Sequence, residues 1–197
     1  MDIDFIEIGT SNFDTLLQKS TEGQTGFSVE PLKYYLNKLP NKSGIAKVNA
    51  AITSNRTSNL VKMFYIPEEI IDKYRLPDWF KGCNTINTFH PLHIKHGVQQ
   101  FVQIETAPLI NIDEFLIHFN IRGIKYLKID TEGHDIVILK GLFTYLSEKS
   151  KEYYPKEILF ESNDLTSRDD LKSVINTASE LGYAMISSDH DTLLRLL

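Results

Sequence analysis

Two short stretches of the chain concentrate groups that can do chemistry. The first is Glu7-Ile8-Gly9-Thr10-Ser11-Asn12, followed by Glu30. A glycine in a strand-to-helix turn lets the backbone approach a ligand. An acid at the tip of the next strand, about 20 residues on, can accept both hydroxyls of a ribose. A pyrophosphate would need further glycines, but Asn12 and Asp14 follow instead. An acid in the first helical turn repels phosphate. The set suits an adenosine ligand with a cationic end, such as S-adenosylmethionine, with Glu7 able to accept its ammonium. An ordinary tight turn with a solvated Glu30 accounts for the same residues equally well.

The second stretch is Leu127-Lys128-Ile129-Asp130-Thr131-Glu132-Gly133-His134-Asp135, with three acids and a histidine at one strand-to-helix junction. Helix capping by Thr131 and dipole pairing account for one or two of the acids. Asp130, at a strand tip, remains as a functional candidate. Glu161, at the tip of another strand, could lie across from it. Two such carboxylates can share a cation or hold one deprotonated base.

Alternating strands and helices have to position these groups. Residues 5–8 read as a strand ended by Gly9. Thr10, Ser11 and Asn12 offer three helix N-cap residues in a row, which puts Asp14 in the first turn. Residues 26–30 form a second strand. Pro31 suits a first helical position, and Leu32, Tyr35, Leu36 and Leu39 repeat at helical spacing. Residues 46–52 read as a third strand. Residues 112–119 predict a helix, 124–130 a strand, and Ile136, Leu139, Phe143 and Leu146 mark the next helix. Strand 157–161 is followed by a helix that starts at Ser167 and ends at Gly182. A hairpin closes the chain, with strands 183–187 and 192–196 around a Ser188-Asp189-His190-Asp191 turn. The expected fold is α/β: a mostly parallel sheet with helices on both faces and an antiparallel C-terminal hairpin. Such sheets bind ligands at the carboxyl ends of their strands.

Composition narrows the function classes. The 197 residues are 42% apolar and 24% charged, with a net charge of −5. That is a globular mixture, long enough for one domain with its own core. The acidic balance argues against a nucleic-acid partner. The lone Cys83 excludes a disulfide framework. Apolar runs of about four residues are far too short for a membrane span. The acidic start Met1-Asp2-Ile3-Asp4 is unlike a secretory signal, so the expected location is cytoplasmic.

Between the third and fourth core strands, residues 60–106 read as an irregular insertion with short helices, one at 68–74, broken by Pro67, Pro77 and Pro91. Leu76-Pro77-Asp78-Trp79-Phe80-Lys81-Gly82-Cys83 and Thr88-Phe89-His90-Pro91-Leu92-His93 mix aromatic and polar groups. Trp79, His90 and His93 are the substrate-binding candidates for a sugar-sized ligand. A lid that packs on the sheet edge explains the segment equally well. On that reading His93 and His96 are surface residues. His118, on an apolar helix face, reads as structural.

Glu7-Ile8-Gly9-Thr10, Val29-Glu30-Pro31, Val48-Asn49-Ala50-Ala51-Ile52 and the Leu127–Asp135 run, continuing to Leu139-Lys140-Gly141, together resemble the FkbM family of S-adenosylmethionine-dependent methyltransferases. The family's Ile-Asp-x-Glu-Gly signature is matched by Ile129 to Gly133. The resemblance covers roughly residues 4–162. It implies a Rossmann-like class I methyltransferase sheet and O-methylation of hydroxyls on carbohydrates or natural-product scaffolds. It also implies a cofactor bound by Glu7, Gly9 and Glu30, with Asn49, Ala50 and Ala51 near the adenine. Thr10, Ser11, Asn12 and Asp14 complete the candidate cofactor set. Thr10-Ser11-Asn12 departs from the family's commoner alanine–asparagine step, and no second glycine follows.

The implied chemistry is transfer of a methyl group to a hydroxyl whose pKa is near that of water, ~15.7. A carboxylate or imidazole can take the proton, or a divalent metal (Mg or Mn) can lower the hydroxyl pKa. Asp130, Glu132 and His134 are the catalytic candidates, with His90 a further imidazole. Asp130, Glu161 and Asn163 are the metal candidates. The expected partner is a small-molecule or glycan acceptor, with no nucleic acid and no membrane. The alternatives are a nicotinamide-dependent oxidoreductase on a similar sheet and a non-catalytic nucleoside-binding interaction module.

Overall fold

The computed structural model describes residues 1–86, 89–188 and 190–197. Thr88, and Asp189 of the expected hairpin turn, lie outside the described residues. The chain starts with β1 (Asp2–Ile8), α1 (Leu16–Lys19), β2 (Gly26–Val29), α2 (Lys33–Lys38) and β3 (Ile45–Val48). It continues through β4 (Ala51–Thr53), β5 (Leu60–Tyr65), α3 (Glu68–Tyr74), α4 (Pro91–Lys95), β6 (Gln103–Asn111) and α5 (Ile112–His118). It ends with β7 (Gly123–Ile129), α6 (Asp135–Ser147), β8 (Glu157–Glu161), α7 (Arg168–Glu180), β9 (Tyr183–Ser188) and β10 (Asp191–Leu196).

Seven strands form one sheet in the order β3-β2-β1-β7-β8-β10-β9. The first five run parallel, and β10 lies antiparallel to both β8 and β9. This is the Rossmann-like sheet with an antiparallel C-terminal hairpin expected from the sequence. Central parallel strands are covered on both sides, so they read as nearly unbroken apolar runs. Phe5, Ile6 and Ile8 of β1 and Leu127 and Ile129 of β7 are all buried. Residues from α5, α6 and α7 share the main core with these strands. Leu17, Leu36 and Leu39 form a separate cluster with Ile45.

Register is what positions the site. Ile8 pairs with Val29 on one side and with Ile129 on the other, and Ile129 pairs with Phe160. The four strand tips are therefore level. The next residues, Gly9, Glu30, Asp130 and Glu161, emerge along one edge of the sheet.

Four local expectations need correction. The third strand is two: β3 stays in the large sheet, while β4 joins a three-stranded sheet in the order β4-β6-β5. Asn49 marks the break, donating its side-chain N–H groups to the carbonyls of Glu30 and Pro31. Helix α1 starts at Leu16, not after Asn12. Its cap is Thr15, which accepts from Gln18 N while the Gln18 side chain accepts from Thr15 N. Asp14 thus precedes the helix, in a left-handed conformation (φ 55°). Pro31 stands outside α2, whose N-cap is Leu32. Finally, residues 60–106 are not uniformly irregular. Helix α3 is where the spacing predicts it, but β5 and β6 bracket the segment as an antiparallel pair. Among the described residues no helix is long and apolar enough to cross a membrane.

Candidate active site

A cavity of about 320 Å³ opens at the level strand tips. The β1–α1 turn, Glu30, residues 50–52, Met63, parts of the segment 79–86 and the β7–α6 turn enclose it. Gly9 is needed at its base. Its φ is +82°, and a Cβ there would lie 1.8 Å from the carbonyl oxygen of Asp130. Only a residue without a side chain lets the β1 turn pass the β7 tip.

Glu30 occupies one end. It is 3% exposed. One carboxylate oxygen accepts from Ser11 N at 2.7 Å and the other from Leu32 N at 2.9 Å. Each oxygen keeps a further lone pair for a ligand. Burial pushes the Glu30 pKa up to about 7, against the two N–H bonds that lower it. Beside it the wall is apolar: Ala51, Met63 and Ile86 belong to one buried cluster.

The other end is acidic. Asp130, Glu132 and Glu161 bring one carboxylate oxygen each to within 4.8 Å of one another, a hard oxygen set able to hold a divalent cation. Lys128 lies 3.2 Å from Asp130 and 3.3 Å from Glu7. Burial pulls its ammonium down, but the two carboxylates outweigh that and hold it above the usual lysine range. Glu132 is aimed by its backbone: it and Gly133 are consecutive left-handed residues, φ 52° and 94°. Its carbonyl accepts from Thr85 Oγ1, and its carboxylate meets His90 Nε2 at 2.9 Å. Since His90 Nδ1 accepts from Leu92 N, the proton of the neutral ring sits on Nε2 and is donated to Glu132. Burial raises the Glu132 carboxyl, and that of Glu161 up to about 9, where neighbouring acids add to the effect. His134 lines the cavity with Nε2 at 2.9 Å from Thr53 Oγ1, and burial lowers its pKa to about 4. It is therefore a neutral imidazole at physiological pH.

A family model for the FkbM methyltransferase domain matches residues 7–185 of the 197-residue chain. The chain belongs to the FkbM methyltransferase family. Among curated proteins and among solved structures none matches it. The family assignment displaces the nicotinamide oxidoreductase alternative.

Within this FkbM domain, Gly9, Thr10, Ser11, Asp14, Glu30, Ala50 and Ala51 of the candidate cofactor set line the cavity. Glu7, Asn12 and Asn49 do not. Glu7 is fully buried, accepting from Leu16 N at the start of α1 and pairing with Lys128. Asn49 ties β2 to the β3–β4 junction. Of the acceptor candidates, Trp79 lines the cavity and is 43% exposed. His90 reaches the cavity only through Glu132. His93 corrects the surface expectation: it is fully buried beside Phe80, and among the described residues neither ring nitrogen has a hydrogen-bond partner. Asn163 stands next to Glu161 but uses its Oδ1 to accept from Leu165 N. Glu132 joins Asp130 and Glu161 in the oxygen cluster.

Sequence reasoning missed two residues. Lys128 is half of an ion-pair network under the cavity. Asp135, fully buried, accepts from Thr131 N, Thr131 Oγ1 and Glu161 N, tying the tip of β7 to that of β8. The signal for Asp135 is its place in the acid-rich run, where helix capping accounts for it on sequence alone.

Proposed function

We propose that this methyltransferase domain uses S-adenosylmethionine to methylate a hydroxyl of a sugar, glycan or similar small hydroxylated molecule. Glu30 carries the reading: a buried carboxylate at a strand tip, inside a cavity, with acceptor capacity left over after its two backbone bonds. The chain's groups fit this cofactor. Glu30 suits ribose hydroxyls, the apolar wall suits a purine, and the acids at the far end suit an ammonium and a sulfonium. When bound, the cofactor supplies an electrophilic methyl group.

The protein's own contribution is position and a proton acceptor. Asp130, held by Lys128, is the group we assign to take the acceptor's proton. Trp79 and Phe13, both half-exposed at the rim, offer faces to the apolar side of a sugar ring. The three converging carboxylates favour one second reading, in which Mg²⁺ or Mn²⁺ activates the hydroxyl.

Calorimetric titration with S-adenosylhomocysteine tests the cofactor assignment, with one saturable site expected. Release of S-adenosylhomocysteine over a panel of methyl glycosides tests the acceptor class. Repeating it in EDTA, then with Mg²⁺ or Mn²⁺ restored, separates a metal from a general base. A protein that binds no S-adenosylhomocysteine would overturn the reading.

A further inference from the structure

The Glu132 carboxylate is held by one of its two oxygens. Oε2 meets His90 Nε2 at 2.9 Å, and the ring is itself fixed, since Nδ1 accepts from Leu92 N at 3.2 Å. His90 is 3% exposed, so the bond forms away from competing water. The other oxygen, Oε1, has no hydrogen-bond partner among the described residues. It borders a gap at the cavity rim. A Cβ built on Gly82 would touch three groups at once: Glu132 Oε1 at 3.5 Å, the carbonyl oxygen of Trp79 at 3.4 Å and Phe13 Cζ at 3.6 Å. Gly82 has an ordinary right-handed backbone (φ −83°, ψ −27°) that any residue adopts. Glycine is therefore not required by the turn. What the missing side chain provides is space, between a carboxylate oxygen and the two aromatic residues of the rim, all of which line the cavity.

We propose that Glu132 Oε1 accepts a second hydroxyl of the acceptor, adjacent to the one that is methylated, and that His90 is the positioning residue that keeps this oxygen aimed. The inference rests on the hydroxylated-acceptor reading of the cavity. One oxygen of Glu132 lies within 4.8 Å of one of Asp130. Hydroxyls on neighbouring carbons can reach both carboxylates together. One gives its proton to Asp130 as its oxygen bonds to the methyl carbon and the sulfur–methyl bond breaks, the electron pair returning to sulfur. The other donates to Glu132 and keeps its proton. The acceptor is then a vicinal diol, and a lone alcohol is a poor substrate. His90, Gly82 and Trp79 all come from the segment between β5 and β6, so acceptor choice is set outside the large sheet.

The probe is the methyl glycoside that gives the fastest release of S-adenosylhomocysteine, with the methylated position read by NMR of the product. It is compared with monodeoxy analogues that lack a hydroxyl flanking that position. The wild-type protein is expected to lose at least about tenfold in kcat/KM on one of them, as for a hydrogen bond to a charged group. His90→Leu is expected to raise KM for the parent glycoside about tenfold, to use parent and analogue within about twofold of each other, and to bind S-adenosylhomocysteine within about twofold of wild type. His90→Gln, whose amide can donate in place of Nε2, is expected to keep the wild-type discrimination. The wild-type comparison needs no variant to fold, and the ratio of two acceptors cancels any general loosening of the segment. Equal use of the parent and every flanking analogue by the wild type overturns the proposal. So does discrimination that survives in His90→Leu, or a His90→Gln that behaves like His90→Leu. Lost affinity for S-adenosylhomocysteine in His90→Leu overturns it too, by making Glu132 a cofactor group. A wild type that binds S-adenosylhomocysteine but methylates no glycoside overturns the acceptor reading itself.

Discussion

Asp130 and Glu30 sit on neighbouring sides of the same glycine turn and should fail differently when changed. Asp130 is partly exposed and paired with Lys128, at the acidic end of the cavity. Asp130→Asn is expected to abolish methyl transfer while S-adenosylhomocysteine affinity stays within about tenfold of wild type, a single hydrogen-bond change at most. Outright loss of binding by calorimetry would make Asp130 a cofactor ligand instead. Glu30 is governed by proton linkage. Its folded pKa, about 7, lies above the ordinary value of 4.5 because of burial. The folded state therefore holds this proton more tightly than the unfolded one. The contribution to stability is full below about pH 4.5 and is lost as pH rises through about 7. Ligand affinity should run the other way, since the ionised carboxylate is the better acceptor of two hydroxyls. Other buried acids and histidines titrate near this window too, so the readout is the difference from Glu30→Gln. Between pH 5 and 8 the Tm of the free wild-type protein should fall relative to that variant, while its affinity for S-adenosylhomocysteine should rise relative to it.

Among the elements, the β7–α6 junction and the segment between β5 and β6 carry most of the site. Asp135 takes three donors and returns none, so an amide cannot replace it without setting N–H against N–H. Asp135→Asn should cost about 3 kcal/mol in urea unfolding, the usual range for breaking a buried charged network. A change below about 1 kcal/mol would show that the strand tips are held by other contacts. His93 predicts the opposite sign. Its neutral ring, with pKa lowered to about 4 by burial, stacks beside Phe80 of an apolar cluster and has no hydrogen-bond partner among the described residues. His93→Leu removes two unsatisfied nitrogens and should raise Tm by several degrees, measured by calorimetry. These elements also show why sequence legibility was uneven. Helix α3 and strand β8 announce themselves through local periodicity. The start of α1 did not, because Thr10, Ser11 and Asn12 are all good caps, and Thr15 wins only through its reciprocal bonds with Gln18. Strand β6 was hidden by Pro108, because a proline inside a run argues against a strand.

Across the whole molecule, parallel strands of matched register made the site's outline readable: an acid or glycine just past a strand end has to lie on the ligand edge. The cross-chain pairings were not readable. Thr53 with His134, and Glu132 with Thr85 and His90, join positions tens of residues apart, and no local pattern encodes them. They set which candidate faces the cavity and which supports it. Both sides of the cavity should therefore respond to one ligand. Adding S-adenosylhomocysteine at about 100 times its Kd should stabilise the fold by about 2.7 kcal/mol. It should also slow amide hydrogen exchange at residues 9–11 and 81–86 together. Protection confined to the first stretch would detach the segment from the cofactor wall.

The division of the third strand has a mechanical consequence. The chain leaves the large sheet at Val48 and enters the small one at Ala51, so only Asn49 and Ala50 lie between them. Two residues give no slack, and Asn49 is pinned to the backbone at Glu30 and Pro31. This side of the cavity is a sewn seam, whereas the wall at Lys81, Thr85 and His90 is joined to the rest of the site through separate side-chain bonds, Ser11 to Lys81 and Glu132 to Thr85 and His90.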